Sequence, residues 1–370
     1  MNDGSAARGF SLKDQLFNAE KVRYLGGLFG FEGFEAAVMT RLLEFELKER
    51  INWIADVLAD FLPDDFPRAA QQITTALPPP LDPTLTDDDF GDFIFAPLSE
   101  YVVRHGMEDH RDVSLDLLRD LTKRFSVEYA IRHFLNRWPD ETMAALSDWS
   151  RDENYHVRRL VSEGTRPTLP WGGKIGLDIR DPLPLLDQLH ADPTRFVTRS
   201  VANHLNDITK KDPTLVLETL QRWQNAGSQN AKELDWMTRH ALRTLVKKGD
   251  PHAMEMLGYH TNPAIQIGGF SGPDAVNIGE VAAFEFTVTA ERDERLMLDY
   301  VIDFVKSNGS TAPKVFKIKQ LHLKAGDSVT IQKNHRFVKG ATTFTHYPGM
   351  HCMTLQINGK AFSSHSFTLK

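Results

Sequence analysis

Apolar residues in the first 262 positions recur at three- and four-residue spacing, with charged residues between them. Residues 45–61 show this spacing most clearly, and it predicts an amphipathic helix because such positions share one helix face. Pro63 cannot continue that helix, since proline lacks the backbone N–H and clashes with the preceding turn. The three consecutive prolines within residues 77–83 predict an extended connector. The first 262 residues are therefore predicted to be helical.

A repeat emerges from about residue 112 onward. Predicted helices open at Tyr155, Phe196 and Trp236, which lie 41 and 40 positions apart, and an arginine follows each aromatic residue three positions later. Phe125 begins a related segment 30 positions before Tyr155, in which Glu128 stands where the others have arginine. A period near 40 residues with two helices per unit is typical of HEAT-like repeats, which stack around a concave surface. The sequence predicts an all-α HEAT-like repeat solenoid, an α-α superhelix, over residues 1–262.

After Pro263 the apolar residues alternate with a period of two, as in half-buried strands. Residues 281–290 and 296–304 are predicted strands, and Asn358-Gly359 predicts a type I′ hairpin turn. Several short strands in residues 263–370 predict an all-β immunoglobulin-like sandwich as a second domain. Two domains also agree with the length of 370 residues.

Composition narrows the class of protein. The chain is 41% hydrophobic and 25% charged, as in soluble globular proteins, and no apolar stretch is long enough to span a membrane. The N-terminus lacks the apolar core of a signal peptide. A single cysteine, Cys352, suits a reducing compartment, and no Cys/His cluster has zinc spacing. We expect a cytoplasmic protein without a structural metal.

The net charge of −7 argues mildly against a nucleic-acid partner. Residues 263–370, however, carry 12 lysines and arginines against 9 aspartates and glutamates, so the acidity belongs to the helical part. Some of it lies in short runs at residues 64–65 and 87–89. A local basic groove remains compatible with this distribution.

Four segments resemble the AlkC branch of the bacterial DNA alkylation repair proteins. They are residues 47–58, 62–66, 125–135 and 156–171, and the last, HVRRLVSEGTRPTLPW, is the most specific. The resemblance covers about residues 10–260, and some members carry an extra immunoglobulin-like domain like residues 263–370. It implies a HEAT-like DNA glycosylase that excises 3-methyladenine, 3-methylcytosine and 1-methyladenine from double-stranded DNA in base excision repair. It also implies that the lesion is reached in a bent duplex, unlike the usual flipping of the base into a pocket.

A base alkylated at a ring nitrogen is already cationic, so it leaves without a general acid. The barrier then lies in the positive charge that develops on the deoxyribose, and a nearby carboxylate stabilises that charge and orients the attacking water. The expected site contains one or two carboxylates in a cationic groove, with no metal and no cofactor. The expected partner is double-stranded DNA with alkylated bases, bound by a monomer without membrane contact.

Glu128 and Glu163 are the first two catalytic candidates. Glu128 replaces the arginine of the repeat, and its alternative role is a helical ion pair with Arg132 or Arg124. Glu163 is predicted in the last turn of a helix, where the helix dipole disfavours a carboxylate. Its alternative role is an exposed salt bridge with Arg159, which contributes little to stability.

Asp207 is the third catalytic candidate, because it ends the equivalent helix of the next repeat with the same dipole mismatch. Lys210 and Lys211 soften that mismatch, and the alternative is a solvated helix end. Trp171 lies in a loop between Pro170 and two glycines, where its ring could stack on a sugar, a base or a cationic lesion. The alternative is a tryptophan packed over the end of the repeat stack.

Basic residues are candidates for DNA contacts. Arginines at one height in successive repeats are suited to a phosphate backbone, but they also suit a structural ladder between repeats. In the β domain, one predicted strand carries three lysines, and Lys333, His335 and Arg336 form a basic cluster in an expected loop. Either group could contact phosphates or form a solvated sheet face. The predicted DNA-binding residues are Arg158, Arg159, Arg199, Arg239, Lys314, Lys317, Lys319 and Arg336.

Two other functions compete with a glycosylase. One is a non-catalytic HEAT-repeat scaffold that binds a protein partner, and the other is a catalytically inactive protein that binds damaged DNA. A carboxylate pair within an arginine-lined surface favours the enzyme, because a scaffold has no need of it.

Overall fold

The computed structural model describes residues 11–85, 87, 90–340 and 344–370 of the chain. The chain forms two compact units. The first runs to Lys211 and includes Arg222–His240, and the second comprises Asp212–Gln221 and Ala241–Lys370. None of the helices in these described residues is long and apolar enough to cross a membrane.

Helices precede strands along the chain, as the change of period at Pro263 predicts. The helices are α1 (Leu12–Leu16), α2 (Ala19–Phe29), α3 (Phe34–Met39), α4 (Leu47–Phe61), α5 (Phe66–Ala76), α6 (Ala96–Gly106), α7 (Arg111–Leu121), α8 (Ala130–Arg137), α9 (Pro139–Trp149), α10 (Tyr155–Gly164), α11 (Leu183–Leu189), α12 (Arg195–Ile208), α13 (Pro213–Ala226), α14 (Ala231–Lys248) and α15 (Pro251–Met256). Short 3-10 helices cover Leu42–Glu44 and Phe93–Phe95.

Helix α4 confirms the amphipathic helix predicted for residues 45–61, apart from its first two residues. Glu46 and Glu49 form a reciprocal capping box at its start, which fixes the first turn at Leu47. The proline-rich connector at residues 77–83 contains no helix, as predicted, and Leu77 has an extended backbone.

Helices α10 and α12 pack along each other and position the candidate site. Asn154 caps the start of α10, because its side-chain oxygen accepts the N–H of His156 at 2.9 Å and satisfies a donor at the helix end. The hydroxyls of Ser162 and Ser200 lie 3.1 Å apart between the two helices. At Gly164, a Cβ atom would lie 2.5 Å from the side chain of Ile131 in α8. Small residues therefore bring the C-terminal end of α10 close to both α8 and α12.

The aromatic residues of the predicted repeat do not occupy equivalent helix positions. Tyr155 is the first residue of α10 and Phe196 the second of α12, whereas Trp236 lies in the second turn of α14. The prediction that Trp236 opens its helix is wrong. The helix begins at Ala231, because the side-chain oxygen of Asn230 accepts the N–H of Lys232 at 2.9 Å and caps the first turn.

The strands of the second unit form two sheets. They are β1 (Ile265–Ser271), β2 (Ala275–Val276), β3 (Val281–Ala290), β4 (Glu294–Val305), β5 (Thr311–Leu323), β6 (Ser328–Arg336), β7 (Gly349–Ile357) and β8 (Lys360–Leu369). One sheet has the order β1-β3-β6 and the other β2-β8-β7-β4-β5, so that β6 and β5 are edge strands. The predicted strands are confirmed in β3 and β4, whose alternate residues form the buried core.

The hairpin between β7 and β8 confirms the predicted type I′ turn. Asn358 and Gly359 have φ angles of 48° and 79°, and this turn requires positive φ at both central residues. The expectation of a loop at residues 333–336 is wrong. These residues end β6 and pair with β3, because the alternation of buried and exposed positions continues through Ile331 to His335.

In the second unit, the residues that follow helices α14 and α15 contact the strands closely. The buried carboxylate of Glu294 accepts hydrogen bonds from Ala264 N–H at 2.8 Å and from the ring of His260 at 2.8 Å. The guanidinium of Arg295 lies 4.7 Å from the ring centre of Tyr259. Gly249 and Gly359 approach so closely that a Cβ on either would lie 2.6 Å from the other's backbone. The domain boundary predicted at residues 262/263 stays a prediction.

Candidate active site

A cavity of about 410 Å³ opens in the first unit beside the C-terminal end of α10. Its walls come from the turn before α8, from α10 and α12, and from the loop that follows α10. The structure brings five predicted site residues together in these walls: Glu128, Arg159, Glu163, Trp171 and Arg199. Three phenylalanines contribute apolar surface, namely Phe90, Phe93 and Phe196.

Glu163 is almost fully buried in the last turn of α10. One carboxylate oxygen accepts from Arg166 Nη1 at 2.6 Å, and the other accepts from Ser200 Oγ at 2.5 Å. Arg159 Nη2 lies 3.7 Å from that second oxygen. The alternative of an exposed salt bridge does not describe this residue, because Glu163 is enclosed by donors.

The pKa of Glu163 lies below its ordinary value. Burial alone raises the pKa, since it penalises the charged form. The positive charges of Arg159 and Arg166 and the hydrogen bond from Ser200 outweigh that penalty. Glu163 is therefore an ionised carboxylate at neutral pH, held in place in the wall of a cavity.

Glu128 lies in the turn before α8 and is partly buried. One of its carboxylate oxygens accepts from Ser126 Oγ at 3.0 Å and from Arg159 Nη1 at 3.1 Å. The alternative of a helical ion pair with Arg132 is not realised, because Arg132 donates to backbone carbonyls instead, Gly164 and Arg166 among them. Arg159 thus bridges the two glutamates.

Asp207 lies in α12 behind the cavity and is buried. Its carboxylate accepts from Arg166 Nε at 2.9 Å and pairs with Lys210 at 3.1 Å. The alternative of a solvated helix end therefore does not hold. A continuous chain of alternating charges connects all three candidate carboxylates, in the order Glu128, Arg159, Glu163, Arg166 and Asp207. Only the first two carboxylates of this charge chain line the cavity.

Trp171 stands at the edge of the cavity with 56% of its surface exposed. Its φ angle is 63°, a left-handed conformation that is unusual for a bulky residue. The loop around it is anchored, since Lys48 Nζ donates to the Trp171 carbonyl at 2.6 Å and Arg132 Nε to the Gly173 carbonyl at 2.7 Å. The alternative of a packed tryptophan does not hold, and the indole is presented to solvent.

The predicted arginines have different environments. Arg158 is mostly buried and pairs with Asp192 at 2.5 Å, while it also donates to the carbonyls of Asp152 and Glu153. Those contacts fit the structural alternative. Arg239 forms an exposed pair with Asp235 one turn earlier. Neither lines the cavity.

Arg159 and Arg199 do line the cavity, and both lie beside Phe196. Their guanidinium carbons are 4.5 Å and 5.8 Å from the centre of the Phe196 ring. Arg199 also pairs with Asp87 at 2.6 Å, and this carboxylate compensates its positive charge. Two guanidinium groups thus lie against the aromatic wall of the cavity.

The predicted basic residues of the β sandwich belong to the second unit. Lys317 and Lys319 are exposed on β5, and Lys317 lies opposite Asp299 in the neighbouring strand. Lys314 and Arg336 line a separate cavity. None of these four residues lines the cavity beside α10.

Several residues of the site were not predicted from sequence. Arg166 and Ser200 hold Glu163, and Tyr129 lines the cavity beside it. Burial, followed by the charges of Glu128 and Glu163, raises the pKa of Tyr129 to about 12, so its hydroxyl stays protonated. His204 is fully buried beneath Ser162, and burial lowers its pKa to about 4, which keeps it neutral. The sequence holds a signal for Arg166 and Tyr129, since they lie within the segments at residues 156–171 and 125–135 that resemble the AlkC branch, and none for Ser200 or His204.

Comparisons with known proteins cover both parts of the chain. Residues 104–245 match the DNA alkylation repair enzyme family, and residues 268–370 match the C-terminal Ig-like domain of the protein YhaZ. YhaZ of Bacillus subtilis (strain 168) is 34% identical over 328 residues, which are 88% of this chain and 87% of that protein. The alkylpurine DNA glycosylase AlkC of Pseudomonas fluorescens, solved bound to DNA containing an abasic site analog, is 32% identical with a TM-score of 0.85. That similarity covers 98% of this chain and 100% of the other.

Proposed function

The chain belongs to the AlkC family of DNA alkylation repair enzymes, and from this premise we propose that it is a DNA glycosylase. It hydrolyses the N-glycosidic bond of cationic alkylated bases in duplex DNA, with 3-methyladenine, 3-methylcytosine and 1-methyladenine as substrates. The observation that carries the proposal is the ionised, buried Glu163 next to Glu128 in one cavity wall. We further infer that the helical part forms a HEAT-like solenoid, followed by an immunoglobulin-like module at residues 263–370.

The carboxylates of the cavity wall suit a cationic substrate. Glu128 and Glu163 both line the cavity, while Lys210 pairs with Asp207 and completes the charge balance of the charge chain. A cationic base or a sugar with developing positive charge would be attracted to these two carboxylates. Because the cavity excludes part of the solvent, the attraction is stronger than it is between exposed groups.

The reaction proceeds without a general acid. As the bond between C1′ and the base nitrogen breaks, its electron pair moves into the base ring and neutralises the positive charge there. Glu163 and Glu128 stabilise the positive charge that appears on the sugar. Water attacks C1′ and its proton passes to one of the two carboxylates, which act here as general bases. The products are a neutral base and an abasic site.

Trp171 is proposed to contact the DNA at the lesion. Its indole is exposed beside the two glutamates, and an aromatic face attracts a cationic ring. Arg159 and Arg199 are proposed to hold the negative backbone near the cavity. Arg158 and Arg239 retain a proposed role in DNA binding only at longer range, because neither lines the cavity.

A direct assay of base release tests the proposal. Duplex DNA treated with a methylating agent is incubated with the full-length protein, and the released bases are identified by chromatography. Free 3-methyladenine and a matching number of abasic sites are expected. If damaged DNA is bound but no base is released, the chain is a non-catalytic binder of damaged DNA. If the protein neither binds damaged DNA nor releases a base from it, a scaffold function fits better.

Removal of residues 263–370 is expected to weaken DNA binding and to reduce its dependence on salt. This segment has an excess of basic residues, among them the exposed Lys317 and Lys319, and phosphate contacts weaken as salt rises. Affinity for damaged duplex is measured over a range of salt concentrations for the shortened and full-length proteins. Base release at low salt is expected to survive, because Glu128 and Glu163 lie in the first unit.

Two results would contradict that expectation. Equal affinity and equal salt dependence of the two proteins would show that the module serves another purpose, such as recruitment of a protein. Loss of soluble protein would show that the domain boundary lies elsewhere. This outcome has to be checked, because Glu294 and Arg295 contact residues 257–264 across the predicted boundary. Melting of both proteins is therefore measured before binding.

A further inference from the structure

A second cavity, of about 650 Å³, lies within the β sandwich and has no part in the chemistry proposed above. It lies between Phe304 and Phe316 on the larger sheet and His335 on the smaller one. Strands β5 and β6, which carry the last two, are the edge strands of their sheets. The sandwich is therefore open at this edge, and the opening has the volume of a small-molecule site.

The walls of this cavity are rich in aromatic rings. Phe304 lies 5.6 Å from His346 in a stacked arrangement, and Phe344 lies 4.9 Å from His346 at a steep angle. Phe316 stacks on Tyr300 at 5.1 Å, which fixes the plane of the Phe316 ring. Flat aromatic walls of this kind favour a planar ring as occupant, because rings stack on one another.

The same cavity is cationic. Lys306, Lys314 and Arg336 line it, and none of its lining residues is acidic. Among the residues that the structure describes, these three cations form no ion pair. Lys314 Nζ lies 4.9 Å from the centre of the Phe344 ring and 5.4 Å from that of Phe316, so its charge is held over the aromatic walls. An anionic group would compensate these charges.

Two histidines supply polar groups within the aromatic walls. Burial, together with the neighbouring His346 and the lysines, lowers the pKa of His335 to about 4, so the ring is neutral. The Tyr300 hydroxyl is hydrogen-bonded to Nδ1 of His335 at 2.8 Å, and burial raises the pKa of Tyr300 to about 12, so the hydroxyl stays protonated. The Nε2 atom of His346 is buried and has no hydrogen-bond partner among the described residues. A bound ring with polar edge atoms would satisfy it.

We propose that this cavity binds a nucleotide unit, with its base between the aromatic side chains and its phosphate at Lys314 and Arg336. Aromatic walls, unpaired cations and an unsatisfied ring nitrogen together fit a planar heteroaromatic ring that carries a phosphate. The unit can be a free nucleotide or one nucleotide of an unpaired DNA strand, since both present the same chemistry. The proposal does not depend on the glycosylase activity.

Calorimetric titration of the full-length protein tests the proposal with dAMP and with a four-nucleotide deoxyadenylate strand as probes. Adenosine and deoxyribose 5-phosphate are the reference compounds, and each is expected to bind at least about tenfold more weakly than dAMP, because each lacks half of the recognised unit. Preference for dAMP assigns the site to free nucleotides. Preference for the strand assigns it to unpaired DNA. If neither dAMP nor the strand binds, the proposal is wrong.

Variants locate the binding. Lys314→Gln, Arg336→Gln and Phe344→Ala change exposed side chains of the cavity, and each is expected to weaken binding of the preferred probe at least about tenfold. Lys324→Gln is the matched control, since Lys324 is an exposed lysine that follows β5 and does not line the cavity. Unchanged binding in all three cavity variants, or equal weakening in the control, would overturn the proposal. Melting temperatures verify that each variant is folded.

Discussion

Glu163→Gln is expected to lower the rate of base release at least about tenfold, which corresponds to about 1.4 kcal/mol of activation free energy. The amide has the shape of the carboxylate but cannot compensate the positive charge that develops on the sugar. The fold is expected to persist, because Arg159 keeps Glu128 as a partner and Arg166 keeps Asp207. Single-turnover release of 3-methyladenine is the measurement.

The matched control is Glu233→Gln. Glu233 also accepts from an arginine, Arg195 at 2.8 Å, and from a hydroxyl, Thr198 at 2.5 Å, but it does not line the cavity. Glu233→Gln should leave the rate of base release unchanged. Glu128→Gln should lower that rate in the same way as Glu163→Gln. Normal rates in both single variants and in the double variant would show that these carboxylates have no role in catalysis.

Cationic lesions are expected to be released at least about a hundredfold faster than neutral lesions of similar size. The cavity offers carboxylates to the sugar, but the proposed mechanism supplies no proton to the departing base, so only a base that already carries positive charge leaves readily. Duplexes that contain one 3-methyladenine, one hypoxanthine or one uracil are compared under single-turnover conditions. The ratio of the three rates measures the selectivity.

The aromatic hydroxyl of Tyr129 requires a separate control in that comparison, because its raised pKa leaves it protonated beside the cavity. Tyr129→Phe is expected to preserve the selectivity for cationic bases. Efficient release of uracil or hypoxanthine by the unaltered protein would refute a mechanism without a general acid. If Tyr129→Phe then abolished that release, the hydroxyl would be the missing acid.

The order of helices and strands could be predicted from sequence because each depends on local periodicity. The strands at residues 281–290 and 294–305 and the turn at Asn358 follow from alternation and from turn chemistry over a few residues. The start of α14 could not be placed by the aromatic repeat, since the cap at Asn230 decides it. The strand at residues 328–336 could not be predicted from sequence, because its many polar residues hide the alternation that buries Ile331 and His335.

The carboxylates of the site could be predicted, but their partners could not. Glu163 was recognisable because a carboxylate at the C-terminal end of a helix is locally unfavourable. Its compensation comes from Ser200 in α12 and from Arg166 after α10, contacts that only tertiary packing creates. Packing also distinguishes two neighbouring arginines. Arg158 pairs with Asp192, whereas Arg159 lines the cavity.

The chain of alternating charges also restricts how this protein can diverge. Loss of Arg166 alone would leave the buried Glu163 with the more distant Arg159 and the buried Asp207 with Lys210, and weaker compensation of a buried charge is destabilising. Replacement of Arg166 together with one of these carboxylates removes one charge of each sign and so costs less than the sum of the single changes. Substitutions at these positions are therefore expected to accumulate in pairs among descendants of this sequence, and intermediates with one change should be rare.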